Sequence, residues 1–159
     1  LETNPYFFPD IGKNSPILII GLQGDATMST GFQGKFHRQH MLSRFAKELV
    51  RRSRSRCELC GENGVKLDVY ELLPLAEEPF ADGCVFICDG CRKQVVEPSK
   101  MIPSHWRCLN NALYSDVPAV QVLSVRILRR LAATEHYWAK ELLEHAYLDP
   151  ALEEWAALD

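Results

Sequence analysis

The sequence predicts a mainly helical protein with one small β-hairpin, in which a four-cysteine finger packs against a C-terminal helical bundle. Three observations predict it. Two Cys-x-x-Cys pairs, Cys57–Cys60 and Cys88–Cys91, bracket an interval that alternates apolar and polar residues. Residues 36–53 carry Met41, Phe45 and Leu49 at helical spacing, with Leu42 and Val50 widening the stripe. Beyond residue 99, apolar helical runs alternate with Ser, Asp and Pro start signals. The chain divides accordingly into a weakly structured arm (1–35), a basic amphipathic helix (36–56), a metal module (57–98) and a helical bundle (99–159).

The 159 residues suit one domain or a small one with an appendage, and the composition is that of a globular chain. The net charge is -3, but it is unevenly placed. Residues 35–56 hold eight Lys or Arg against Glu48 alone, and residues 135–159 hold seven acids against Lys140 alone. That asymmetry points to an anionic partner or to attraction between the two ends. No apolar run approaches bilayer length; Ile17–Leu22 is far too short. Six cysteines without a secretory signal suggest a reducing, cytosolic setting in which thiols bind metal.

In the arm, eight Pro and Gly residues between Pro5 and Gly34 argue against a helix, and residues 16–21 are a candidate strand. Met28 is the expected native start, which would make residues 1–27 extraneous. In the basic helix, Arg51, Arg52, Arg54 and Arg56 run straight into Cys57. They are candidate anion-binding residues, because arginines grip phosphates in bidentate pairs. The alternative is a solvated helix end that complements the helix dipole, and the lack of interleaved aromatics favours it.

Each Cys-x-x-Cys offers two thiolates from one tight turn, so four together form a structural Zn²⁺ site that leaves no position for water or substrate. A redox dithiol would need only one pair. Between the pairs, residues 65–70 and 83–87 read as two strands, separated by an acidic loop marked by Pro74 and Pro79. A short helix is expected from Arg92 to about Val96. Knuckle, hairpin and helix resemble a treble-clef finger. The same module resembles the scaffold of HNH nucleases, but Tyr70 and Glu71 stand where that scaffold has its histidine pair, and Arg92 replaces a further histidine. Tyr70 is a poor general base, and Asp68 and Glu71 point to opposite faces of a strand. A divergent hydrolase and a thiol or zinc redox sensor are the alternatives to a binding module.

Cys84 reads as a buried thiol behaving as a small hydrophobe. His105 and Cys108 form His-x-x-Cys on one helix face, a possible second metal or nucleophile pair; the favoured reading is a partly buried histidine beside the metal module. His37, His40, His136 and His145 read as surface groups. In the bundle, Trp106, Leu109 and Leu113 share a face. Ser115-Asp116 is an N-cap candidate with Pro118 in the first turn. Val120–Leu131 should be the central buried helix, with Arg126, Arg129 and Arg130 on its wet side. Thr134 would cap a helix from Glu135 to Tyr147, and Asp149-Pro150 would open the last one. Trp106, Tyr137, Trp138, Tyr147 and Trp155 are read as packing residues, with a ligand box as the lesser reading.

Several strings then match a known family. Ser55–Gly61, Val69–Glu71, Cys88-Asp-x-Cys91-Arg92, His105–Asn110, Val117–Val122 and Tyr147–Asp149 resemble the longer members of the PhnA (YjdM-like) family, named after alkylphosphonate-utilisation operons. The resemblance covers about residues 36–159. It implies a bacterial cytoplasmic protein with a zinc-binding N-terminal part, and a small β domain after the point where this chain ends. The operon name conveys an association and no mechanism. Together these readings predict a non-catalytic zinc-stabilised binding protein whose partner is nucleic acid or protein.

Overall fold

Leu42, Phe45 and Leu49 lie on one side of a helix, and the hairpin lies against that side. The computed structural model describes residues 30–158. Its order is α1 (Thr30–Ser53), β1 (Leu67–Glu71), β2 (Cys84–Cys88), α2 (Asp89–Val96), α3 (Leu109–Ala112), α4 (Pro118–Ala133), α5 (Tyr137–His145) and α6 (Pro150–Ala156). A 3₁₀ turn, His105–Cys108, runs into α3. The expected strand at 16–21 and the expected start at Met28 lie outside the described residues. α1 begins earlier than Phe36 and includes Gly31 and Gly34. Each glycine costs a helix about 1 kcal/mol, which propagation of an established helix tolerates.

The strands pair antiparallel with Leu67 opposite Cys88 and Glu71 opposite Cys84. All five residues of β2 are buried, because this strand is covered on both faces. Cys84 and Phe86 meet α1, together with Leu67 and Val69 of β1. Val85 and Ile87 join the main core with Trp106, Leu109 and the apolar residues of α4. The hairpin is thus the middle layer between α1 and the bundle.

α4 is the central helix, as its composition predicts, with Val120, Val122, Val125, Ile127 and Leu128 at 2 % exposure or less. Arg126 departs from the expected wet side. It is buried and donates Nη2 to the carbonyls of Leu73 (2.8 Å) and Trp155 (2.6 Å). A buried guanidinium is tolerable when carbonyls satisfy it, and here it ties the 72–76 loop and α6 to the core. Trp155 Nε1 donates to the same Leu73 carbonyl at 2.9 Å.

Helix starts followed the expected chemistry at α6 and, through Pro118 in its first turn, in part at α4. Asp149 accepts from Ala151 N–H at 3.0 Å, with Pro150 as the first residue of α6. Asp116 does not cap α4: Val117 holds the cap position, and Ser115 Oγ accepts from Val117 N–H. Thr134 does not open α5. It closes α4, donating Oγ1 to Leu131 O at 2.9 Å, and α5 starts at Tyr137. Tyr137 and Tyr147 are largely exposed instead of packed, whereas Trp106 and Trp155 are buried. Trp138 is half-buried beneath the Arg107 guanidinium, 4.5 Å from the ring centre.

α4 ends in a Schellman motif. His136 N–H bonds to Leu131 O and Glu135 N–H to Ala132 O, both at 3.3 Å, and Glu135 holds φ 65°. That left-handed position favours glycine. Glu135→Gly is expected to stabilise the fold by about 1 kcal/mol in urea denaturation, because the side chain there carries steric cost. A lowered midpoint would show that the Glu135 side chain stabilises the fold by more than that strain.

Candidate metal centre

The approach to the first knuckle is set by the end of α1. Ser55 N–H bonds to Val50 O at 3.0 Å, and Arg54 and Ser55 both hold left-handed backbone, φ 54° and 58°. The chain reverses there and enters Cys57. Cys57 O accepts from Gly61 N–H (2.8 Å) and Cys57 N–H donates to Glu62 O (2.9 Å), closing the turn. Gly61 has φ 75°, which a tight knuckle requires of that position. The second pair sits where β2 becomes α2. Cys88 is the N-cap residue, and its Sγ accepts from Cys91 N–H at 3.4 Å. α2 therefore begins at Asp89, three residues before the expected Arg92, because the thiol takes the capping role of an oxygen.

The four Sγ atoms lie within 4.8 Å of one another. Cys57–Cys91 and Cys60–Cys88 are each 3.8 Å apart. Tetrahedral zinc, with bonds of about 2.3 Å, sets its sulfurs about 3.8 Å apart. A disulfide needs about 2.05 Å, and all six cysteines are unpaired. The cluster can hold one metal ion. Cys57, Cys88 and Cys91 are buried and Cys60 is half-exposed.

Left to themselves, four such thiols do not all ionise. Cys57 is lowered to about 4, chiefly because the Cys91 thiol donates to it and secondarily through backbone N–H groups. Cys91 is pushed up in exchange, and Cys60 rises to about 12, first through burial. A divalent cation removes that conflict by replacing the protons. Polar groups surround the sulfurs: Cys88 N–H donates to Cys57 Sγ at 3.4 Å, and His105 Nε2 lies 3.2 Å from Cys91 Sγ. His105 is held there by a loop whose Ile102 N–H donates to the buried Gln94 Oε1 at 2.7 Å.

A mainly helical chain with one antiparallel hairpin and four thiols gathered for a single metal ion is the class that this fold and site define. Comparison with protein-family models, with curated proteins and with solved structures found no match.

His105 thus faces the four-cysteine cluster. The Cys108 thiol is half-buried and raised to about 11 by burial. Cys84 is buried, donates to Phe80 O at 3.3 Å and is likewise raised to about 12. Arg51, Arg54 and Arg56 are exposed. Arg52 is not available to an anion. It forms a bidentate pair with Glu58, both contacts at 2.8 Å, and also donates to Ala81 O and Cys84 O. Glu58 in turn accepts from Phe86 N–H at 2.7 Å. One knuckle carboxylate therefore joins α1, the first metal loop and β2.

A second clamp repeats the device. Arg38 binds Glu71 at 2.8 and 2.7 Å and also reaches the carbonyl of Ala76. Asp68 lies elsewhere, beside Lys66 (3.5 Å) and Arg92 (3.7 Å), so it shares no site with Glu71. The spacing Arg38-Leu42-Phe45-Leu49-Arg52 was the available signal for both clamps, since it puts the two arginines at the ends of the apolar stripe.

Two outcomes are expected. The purified protein should contain one metal ion per chain, and Cys57→Ser or chelation should cost about 5 kcal/mol and lower the melting temperature by roughly 10–20 °C. A metal-free protein of unchanged melting point would contradict the site. Glu58→Gln should cost about 2–4 kcal/mol while leaving the metal content at one, whereas the exposed Glu48→Gln should change stability by less than about 0.5 kcal/mol. Calorimetry and metal analysis together read both.

Proposed function

We propose that this chain is a non-catalytic, zinc-stabilised binding protein that engages an anionic partner through the outer face of α1. Zinc is the ion that four thiolates at tetrahedral spacing suit, and four sulfurs fill its coordination sphere. Such a centre organises structure and leaves no open position for a reacting group. The observation carrying the reading is the division of α1. One face, from Arg38 to Arg52, is consumed by the hairpin, while Arg44, Lys47 and Arg51 project from another and are exposed.

The strings His105–Asn110 and Val117–Val122 support kinship with the PhnA family. Unpaired thiols throughout support a reducing, cytoplasmic setting. Among the described residues no helix is long and apolar enough to cross a membrane. Against the hydrolase alternative, Glu71 is paired with Arg38, and Asp68 lies beside Lys66 and Arg92.

Retention on immobilised heparin tests the reading. The wild-type chain is expected to elute at high salt, and Arg44→Gln with Arg51→Gln at markedly lower salt with an unchanged melting point. Absence of retention, or retention indifferent to the two substitutions, would overturn it.

A further inference from the structure

Resting on that reading, we propose that the partner of α1 is double-stranded DNA, held through its phosphate backbone. The assignment comes from what the exposed face contains and what it omits. His37, His40, Arg44, Lys47, Arg51 and Arg54 follow one another at intervals of three and four residues, and all six are exposed. On an α-helix the first five fall within an arc of about 80°, and the stripe from His37 to Arg51 runs about 21 Å. Arg54 follows α1 in left-handed backbone and is also exposed. The side chains of Arg44, Lys47, Arg51 and Arg54 make no ion pair or hydrogen bond among the described residues. The one acid on α1, Glu48, sits at the margin between this stripe and the packing face.

From His37 to Arg54 the stripe carries no Phe, Tyr or Trp; Phe45 of the same helix is turned to the hairpin, and the exposed Phe36 lies just before the stripe begins. Single-stranded nucleic acid is held by aromatic platforms on which successive bases stack, and past Phe36, His37 and His40 at one end the face offers none. A protein interface centres on buried aromatic or aliphatic anchors, which the stripe also lacks. What remains is a row of cations along the helix, Arg44, Lys47 and Arg51, whose natural complement is a regular row of phosphates. B-form DNA supplies that row on both walls of a major groove wide enough to admit a helix.

Rigidity favours the same partner. The Arg38–Glu71 and Arg52–Glu58 clamps lie fourteen residues apart, on the side of α1 turned to the hairpin. They pin the helix at both ends of its packing stripe, so the cations are presented along a fixed line and little ordering is needed on binding.

Fluorescence anisotropy with the zinc-loaded full chain and a labelled 20-base-pair DNA of mixed sequence tests this. Neutralising four phosphates predicts that affinity falls about a hundredfold between 50 and 200 mM salt. Arg44→Gln with Arg51→Gln should flatten the logarithmic salt slope by about two, with the circular dichroism spectrum unchanged. The corresponding single strand should bind more weakly. Tighter binding of the single strand, duplex binding that ignores the double substitution, or a chain dimer that depends on these two arginines would each overturn the assignment. Heparin retention that persists without duplex binding would overturn the DNA assignment alone. Loss of both would overturn the binding face as well.

Discussion

Four thiols gathered within 4.8 Å, three of them buried, are a problem of charge before they are a feature of architecture. Protonated, they bring four weakly bonding groups together for little gain. Ionised, they repel. A bound cation resolves the conflict, and surrounding backbone N–H groups share the charge that remains, with the His105 ring beside Cys91. The other elements are arranged around this condition. The hairpin exists between the two thiol pairs, α2 is nucleated by one of its cysteines, and the loop leading to α3 carries His105 to the cluster.

α1 shows how one helix serves two demands with interleaved residues. Positions 38, 42, 45, 49 and 52 pack and clamp, while positions 37, 40, 44, 47 and 51 face solvent. The arginines that look alike in sequence therefore have opposite fates. Arg51 and Arg52 are neighbours separated by about 100° around the helix, enough to place one against Glu58 and the other in water. A run of basic residues cannot be assigned as a unit. Its members must be sorted by helical phase.

Much of the metal module was legible from spacing, because knuckles, hairpins and helix starts are short-range structures built from residues close in the chain. The strands, the buried α4, the Asp149-Pro150 start and the gathering of Cys57, Cys60, Cys88 and Cys91 follow from such local rules. Where two local rules competed, sequence could not arbitrate. Thr134 could open α5 or close α4, and the backbone hydrogen bonds of the Schellman turn settled it for closure. Asp116 and Ser115 were equivalent cap candidates, and the extended Val117 displaced both from the cap position.

The amino-acid order by itself determined which residues form the metal module and the helices, since periodicity and loop chemistry act over a few residues. Only the tertiary structure decided which polar groups are spent internally. Arg126 meets the Leu73 carbonyl across 53 positions of chain, Arg38 meets Glu71 across 33, and His105 meets Cys91 across 14. Such pairings depend on which surfaces bury one another, and a buried charge or N–H finds its partner only once that burial has removed water.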